Sequence, residues 1–321
     1  MDPETDDRPG LGISACLLGD QVRFDGGHKR DAFLTDILSP HVRWVRVCPE
    51  VEVGMGTPRE TLRLERRDDG AIRMVTTRTD IDHTDAMSAW ARQRLRELER
   101  ENLSGYVLKK DSPSCGMERV KVFDASGVPQ RTGRGIFAEA LLQRFPHLPV
   151  EEEGRLSDPR LRENFIERVF AYQRLRRFFS GRWSVGGLVQ FHTSHKMSLL
   201  SHTTAAYREL GRLVASAAAV ARPALRSDYE AGFMRALTVI ATPRRHANVL
   251  MHMAGHLKKR LEGPSRQELA ATIDEYRRGL VPLVVPLTLV RHHARHHDVS
   301  YLLGQTYLEP HPRELMLRNR V

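Results

Sequence analysis

The sequence predicts an α/β, Rossmann-like N-terminal domain followed by an all-α C-terminal domain. Three observations carry this. Runs of β-type residues alternate with helical stripes up to about residue 152, and period-two alternation is absent after it. Charge divides along the same line: residues 1–150 hold 23 Lys and Arg against 24 Asp and Glu, whereas 151–321 hold 27 against 16. All three cysteines lie in the first half and 11 of the 15 histidines in the second. The natural cut is VEEEGRLSD at 150–158, giving domains at 10–152 and 158–321.

In chain order, 12–18 reads as a first strand running into the loop GDQVRFDGGHKR, with a short helix at 31–38. VRWVRV at 42–47 is a second strand ending at Cys48. Residues 61–77 form a hairpin around the turn dipeptide Asp69-Gly70. Residues 84–101 make a helix with Met87, Trp90, Leu95 and Leu98 on one stripe. A third core strand at 106–109 leads into the Cys115 loop, followed by a helix at 136–145 and a short strand at 148–151. Strands alternating with helices predict a parallel, doubly wound sheet, which binds ligands outside the carboxyl ends of its strands. In the second half, Ser157-Asp158-Pro159 opens a helix through residue 179. Stretches 189–220, 229–240, 244–260 and 265–280 continue the pattern, with Ser265 and Glu268 matching a capping box, for roughly six helices.

Composition excludes several classes. With 40% hydrophobic and 28% charged residues the chain fills a core and is not of the disordered type. The most apolar run, 281–290, has ten residues and two prolines, short of the ~20 needed to span a bilayer. The acidic start MDPETDDRPG has no signal-peptide pattern, and three cysteines without such a signal predict a reducing, cytoplasmic setting. No glycine-rich dinucleotide fingerprint or Walker sequence follows the first strand, so neither a nicotinamide nor an ATP site is indicated.

Each cysteine has its own phrase: ISACLLG around Cys16, VCPE around Cys48 and KKDSPSCG around Cys115. Buried apolar cysteine is the bland alternative, and a three-cysteine, one-histidine zinc site a second, usually betrayed by a close C-x-x-C pair that is missing here. Three soft thiolates converging from three strand ends suit an iron–sulfur cluster with one iron left open. The small turn-forming residues beside each cysteine favour the cluster, because they give backbone N–H groups access to its sulfurs.

SACLLG-x-x-VR-F-DG at 14–26, CPE-x-x-x-G-x-G-x-PRE at 48–60 and K-x-x-SPSCG at 109–116 together resemble the thiouracil desulfidase family over about residues 10–150. The resemblance implies an oxygen-sensitive 4Fe-4S cluster held by Cys16, Cys48 and Cys115, its fourth iron accepting the sulfur of a thiocarbonyl such as 2-thiouracil. It implies hydrolysis without net redox change: water attacks the ring carbon, the C–S bond breaks and hydrogen sulfide leaves. The expected base is Glu50, two residues past Cys48, with partial burial raising its pKa toward a useful range; a turn-capping carboxylate is its plain alternative. Ser112 and Ser114 are expected to bind the pyrimidine carbonyl or orient the water, against ordinary turn chemistry. Arg23 and Asp25 shape the pocket or form a surface turn. Lys109 pairs with a carbonyl, a sulfide or a substrate phosphate, or is simply solvated.

Residues from about 160 resemble a second, uncharacterised domain through FHTSHK at 191–196, TPRRHANVLMHM at 242–253, YRRGLVPLVVPLTL at 276–289 and YLEPHPRELMLRN at 307–319. His292/His296, His293/His297 and His192/His195 have helix-face spacing, but no acidic ligand accompanies them. A basic face with Arg244, Arg245, His246, Lys258, Lys259 and Arg260 is the stronger reading, able to meet RNA or DNA or to attract a nucleotide's phosphate. The expected partner is thus a thiolated pyrimidine base or nucleotide, with no membrane. The alternatives are a nucleic-acid-binding protein with a structural or sensing cluster, and a tRNA sulfur-transfer enzyme.

Overall fold

The computed structural model describes residues 7–320, so most of the acidic start lies outside the described residues. The chain divides into two compact units, 1–158 and 159–321.

The first unit contains two sheets. The strands β1 (Gly10–Ser14), β2 (Arg43–Val47), β3 (Leu62–Arg66), β4 (Ile72–Thr76), β5 (Leu103–Leu108), β6 (Val120–Phe123), β7 (Pro129–Gly133) and β8 (Val150–Glu152) alternate with helices α1 (Pro49–Glu52), α2 (Thr84–Arg100) and α3 (Ile136–Arg144). One sheet has the order β2-β1-β5-β8 with every pairing parallel. β1 and β5 are buried along their whole length, which is why they read as unbroken apolar or small-residue runs. The chain leaves β1 for β2 on one side and returns to β5 on the other. The topological switch point therefore lies between β1 and β5, and ligands bind at such points outside the carboxyl ends.

The second sheet corrects the expectation of a single doubly wound sheet. The hairpin β3–β4 forms around Gly70, at φ +81, but it joins β6 and β7 in a mixed sheet of order β4-β3-β6-β7. β6 and β7 were not predicted because β7, PQRTG, is polar and almost wholly exposed. Helix α2 lays Met87 against Leu64, Met74, Val120 and Val122 of this sheet. Two further boundaries move. The first strand stops at Ser14, and Ala15–Leu18 coil into a 3-10 turn closed by Gly19 at φ +98. The short helix expected at 31–38 is a π-helical turn, Phe33–Leu38.

Among the described residues the second unit is all helical: α4 (Pro159–Ser180), α5 (Val185–His202), α6 (Thr204–Ala215), α7 (Arg222–Thr238), α8 (Pro243–Leu257), α9 (Gly263–Arg277), α10 (Val284–His296) and α11 (Ser300–Leu303). That is eight rather than roughly six. The stretch 189–220 is interrupted at Thr203, whose extended backbone ends α5 and begins α6. The apolar run 281–290 enters α10 despite Pro286. That proline occupies the first turn, where a missing N–H removes no helical bond. The capping box at Ser265 is not formed, since α9 begins two residues earlier at Gly263-Pro264. One core gathers Leu175, Leu199, Leu225, Tyr229 and Phe233; another gathers Leu250, Leu269, Leu287, Val290 and Tyr307. No helix among the described residues is long and apolar enough to cross a membrane.

Candidate active site

The carboxyl ends of β1, β2 and β5 open into one cavity of about 310 Å³. Cys16 reaches it from the turn after β1, Cys48 from the residue after β2, and Cys115 from the loop after β5. Parallel pairing sets Ser14 beside Val47 and Ile13 beside Val107, so residues far apart in sequence leave the sheet along one edge. The Cys115 loop is fixed from behind by α3. The free N–H groups of its first turn donate to the loop: Ile136 to the Pro113 carbonyl at 3.2 Å, Phe137 and Ala138 to that of Ser114 at 3.0 and 3.2 Å. Gly135 permits this approach, because a Cβ there would meet the Ser114 carbonyl group at 2.5 Å.

Burial pushes the Cys16 thiol up to about 11, reinforced by the nearby Cys48, while Lys109 and Arg23 oppose it. Burial also raises Cys48 and, further, Cys115. Without a ligand these are protonated thiols. A Lewis-acidic group would release the protons on binding and take three soft donors from one wall of the cavity. Among the described residues no three His, Cys, Asp or Glu side chains are grouped to hold a single metal ion. Three cysteine thiolates on one cavity suit an iron–sulfur group through the softness of their donors.

Glu50 stands at the second position of α1, immediately past the Pro49 that starts the helix. Its carboxylate is divided between two tasks. Oε2 accepts from Arg59, with Nε at 2.9 Å and Nη2 closer still. Oε1 accepts the Ser114 hydroxyl at 2.7 Å and lies 3.4 Å from that of Ser112. A carboxylate only accepts, so Ser114 spends its proton on Glu50 and must itself accept from Ser112, 2.9 Å away. Ser112 in turn accepts from the backbone N–H of Cys115 at 3.2 Å and of Ser114 at 3.3 Å. The result is a hydrogen-bond chain of fixed direction, ending on a carboxylate at the cavity wall. Arg59 also donates to the Val22 and Gly56 carbonyls, so one side chain holds α1 and the 22–24 loop together.

The remaining expected residues separate. Arg23 lines the cavity; its Nε is buried without a hydrogen-bond partner and stands 3.6 Å from Asp25. Asp25 is not among the lining residues. Its carboxylate accepts from the Gly27 N–H at 3.0 Å, an Asx turn on the surface. Lys109 lines the cavity but is mostly buried rather than solvated, and its Nζ pairs with Glu153 at 2.5 Å. Sequence reasoning left Arg59, Phe24 and Lys29 without a role, though all three line the cavity. Arg59 stands inside the quoted PRE phrase and Phe24 inside VRFDGG, so the phrases contained the signal. In the second unit, His246 is buried against Tyr307, with Nδ1 2.7 Å from its hydroxyl, and does not belong to an exposed basic face. His192 and His195 are buried as well. His292 and His296 are exposed and stack at 6.2 Å, with Arg291 and Arg295 beside them.

Known proteins resemble the two halves separately. Residues 11–153 match the family described as 2-thiouracil desulfurase, and residues 196–312 match a protein family of unknown function, DUF1722. Uncharacterized protein YbgA of Escherichia coli (strain K12) is 34% identical over 164 residues, 50% of this chain and 95% of that protein. Uncharacterized protein YbbK of Bacillus subtilis (strain 168) is 30% identical over 145 residues, 44% of this chain and 93% of that protein. A solved structure of the 4Fe-4S-dependent thiouracil desulfidase TudS is 31% identical, covering 47% of this chain and 94% of that chain, with a TM-score of 0.38. Through residues 11–153 the chain belongs to the 2-thiouracil desulfurase family, and a DUF1722 domain follows in the same polypeptide.

Proposed function

We propose that this protein removes sulfur from a thiolated pyrimidine base or nucleotide by hydrolysis, releasing hydrogen sulfide. The observation that carries the reading is the convergence of Cys16, Cys48 and Cys115 with Glu50 on one cavity. The three thiolates would hold a 4Fe-4S cluster, which supplies a soft Lewis acid for a thiocarbonyl sulfur.

The protein's own groups account for the proton chemistry. Glu50, ion-paired with Arg59, is a carboxylate and hence a base. A water against Oε1 gives it one proton as the oxygen attacks the ring carbon, and the carbonyl replaces the thiocarbonyl without oxidation or reduction. The proton then leaves Glu50 for the departing sulfide, which takes its second from the same water. Ser112 and Ser114 hold Oε1 in place. Arg23, paired with Asp25 through Nε, turns its guanidinium charge toward an oxygen of the substrate, and the half-exposed Phe24 offers a ring face to a flat base. Lys109, neutralised by Glu153, acts on the cavity wall rather than as a free cation.

The test is anaerobic reconstitution with iron and sulfide, then sulfide release from 2-thiouracil and from 4-thiouridine monophosphate. About four irons per chain, lost in Cys16→Ala, support the cluster. Turnover lost in Glu50→Gln with iron retained supports the base. Full iron loading with no sulfide from either compound would overturn the reaction, and failure to take up iron would overturn the cluster.

A further inference from the structure

The second unit contains a cleft of about 320 Å³ between α5 and α6, lined on its polar side by His192, Thr193, Lys196, Tyr207, Arg208 and Gly211. It uses the FHTSHK phrase, which the cysteine-lined cavity leaves unexplained. We propose that this cleft binds the phosphate monoester of a small organic molecule, independently of the cysteine-lined cavity.

Every polar side chain in the lining is a hydrogen-bond donor, and none is acidic. Lys196 and Arg208 make no ion pair with a carboxylate among the described residues, so both charges are left for a ligand. At the floor, His192 is 3% exposed and its Nε2 is buried with no partner. The ring's tautomer follows from its other nitrogen. Nδ1 lies 3.2 Å from the hydroxyl of the fully buried Tyr229, which has no other hydrogen-bond partner among the described residues. With no other acceptor for its proton, the hydroxyl is best satisfied by donating to Nδ1, which places the proton of the neutral ring on Nε2. Burial and the neighbouring Lys196 keep the ring neutral down to about pH 4. The cleft thus offers an orphan N–H, two cations and the hydroxyls of Thr193 and Tyr207.

Gly211 is the second observation. A glycine inside a helix costs about 1 kcal/mol relative to alanine, and a Cβ at this position would meet only His192 Nε2, at 4.0 Å. Packing does not demand glycine there, and a larger side chain at 211 would cover the ring nitrogen. Two positive charges match a phosphate monoester, which carries nearly two negative charges and three acceptor oxygens at neutral pH. Val189, Val214 and Ala215 give the organic part an apolar wall, and the volume lies in the range of small-ligand sites.

Calorimetric titration of the full chain with phenyl phosphate and with inorganic phosphate tests this. Phenyl phosphate should bind once per chain and more tightly than inorganic phosphate. Lys196→Glu or Arg208→Glu should weaken it about tenfold or more, as for loss of a charge-assisted bond. Gly211→Leu should block it while melting no lower than the parent, since leucine favours the helix. Arg23→Ala, in the cysteine-lined cavity, should leave this binding unchanged. No binding tighter than about 1 mM, or binding indifferent to Lys196→Glu and Gly211→Leu, would overturn the site. Binding confined to polynucleotides and collapsing with salt would overturn the small-molecule reading.

Discussion

Replacing Arg59 by alanine isolates the interaction on which the cavity wall depends. The guanidinium is 7% exposed and the Glu50 carboxylate 16%, so water screens their pair only weakly. The substitution leaves Glu50 without its cation and removes donors from the Val22 and Gly56 carbonyls. Breaking a buried pair by deleting one partner costs about 3–5 kcal/mol, and the lower figure suits groups this near the surface. A loss of about 3 kcal/mol lowers the melting midpoint of a unit this size by about 10 °C. Arg59→Lys keeps the charge but cannot bridge carboxylate and carbonyls together, and should lose about 1–2 kcal/mol. Denaturation of the single variants Arg59→Ala and Glu50→Ala and of the double variant closes a mutant cycle. Energies additive within about 0.5 kcal/mol would refute a structural pair. So would an Arg59→Ala protein melting with the parent.

Other expectations follow from the same geometry. Ser114→Ala removes the buried hydroxyl that fixes Glu50 Oε1, and should cost about 1–2 kcal/mol and lower sulfide release in the reconstituted protein; unchanged turnover would detach the serines from the reaction. Gly135→Ala drives a Cβ into the Ser114 backbone and should cost about 1–3 kcal/mol, with weaker iron uptake through the displaced Cys115 loop; parental stability and uptake would argue against the α3 clamp. The helical unit should lose stability in acid. Burial holds His195 and His246 down to about 3 and His311 to about 4. An unfolded chain protonates such rings near 6.5, so the contribution is complete above that pH and is lost as pH falls toward the folded values. At pH 5 each ring accounts for about 2 kcal/mol, and urea midpoints of the helical unit equal at pH 7.5 and 5 would contradict this.

The parallel sheet was legible because β1 and β5 are buried along their whole length and announce themselves as apolar or small-residue runs, while the edge strand β2 still shows its β-type Trp44, Val45 and Val47. The second sheet was only half legible. Its hairpin carries Asp69-Gly70, but β7 pairs through backbone alone and leaves no side-chain pattern. The cysteines could be assigned to one place because each follows a strand of the same sheet. Arg59 could not be given a partner, because an arginine nine residues past a glutamate meets it only after the chain folds back between them. Asp25 and His246 mislead for a related reason: a turn aspartate resembles a binding aspartate in sequence, and a buried imidazole resembles an exposed one. Only burial and partners separate them.

The three thiols are gathered by strand pairing, across chain separations of 32 and 67 residues. Closing loops of those lengths costs about 3 and 4 kcal/mol in chain entropy. In small metal-folded domains the bound metal meets such costs, and the peptide is unfolded without it. Here the β1–β2 and β1–β5 ladders meet them, so holding the thiols together does not fall to a bound group alone. Loss of whatever the cysteines hold should then be a reversible event in a folded protein. Iron removal by a chelator should therefore leave the parallel sheet folded, and renewed iron and sulfide should reload it.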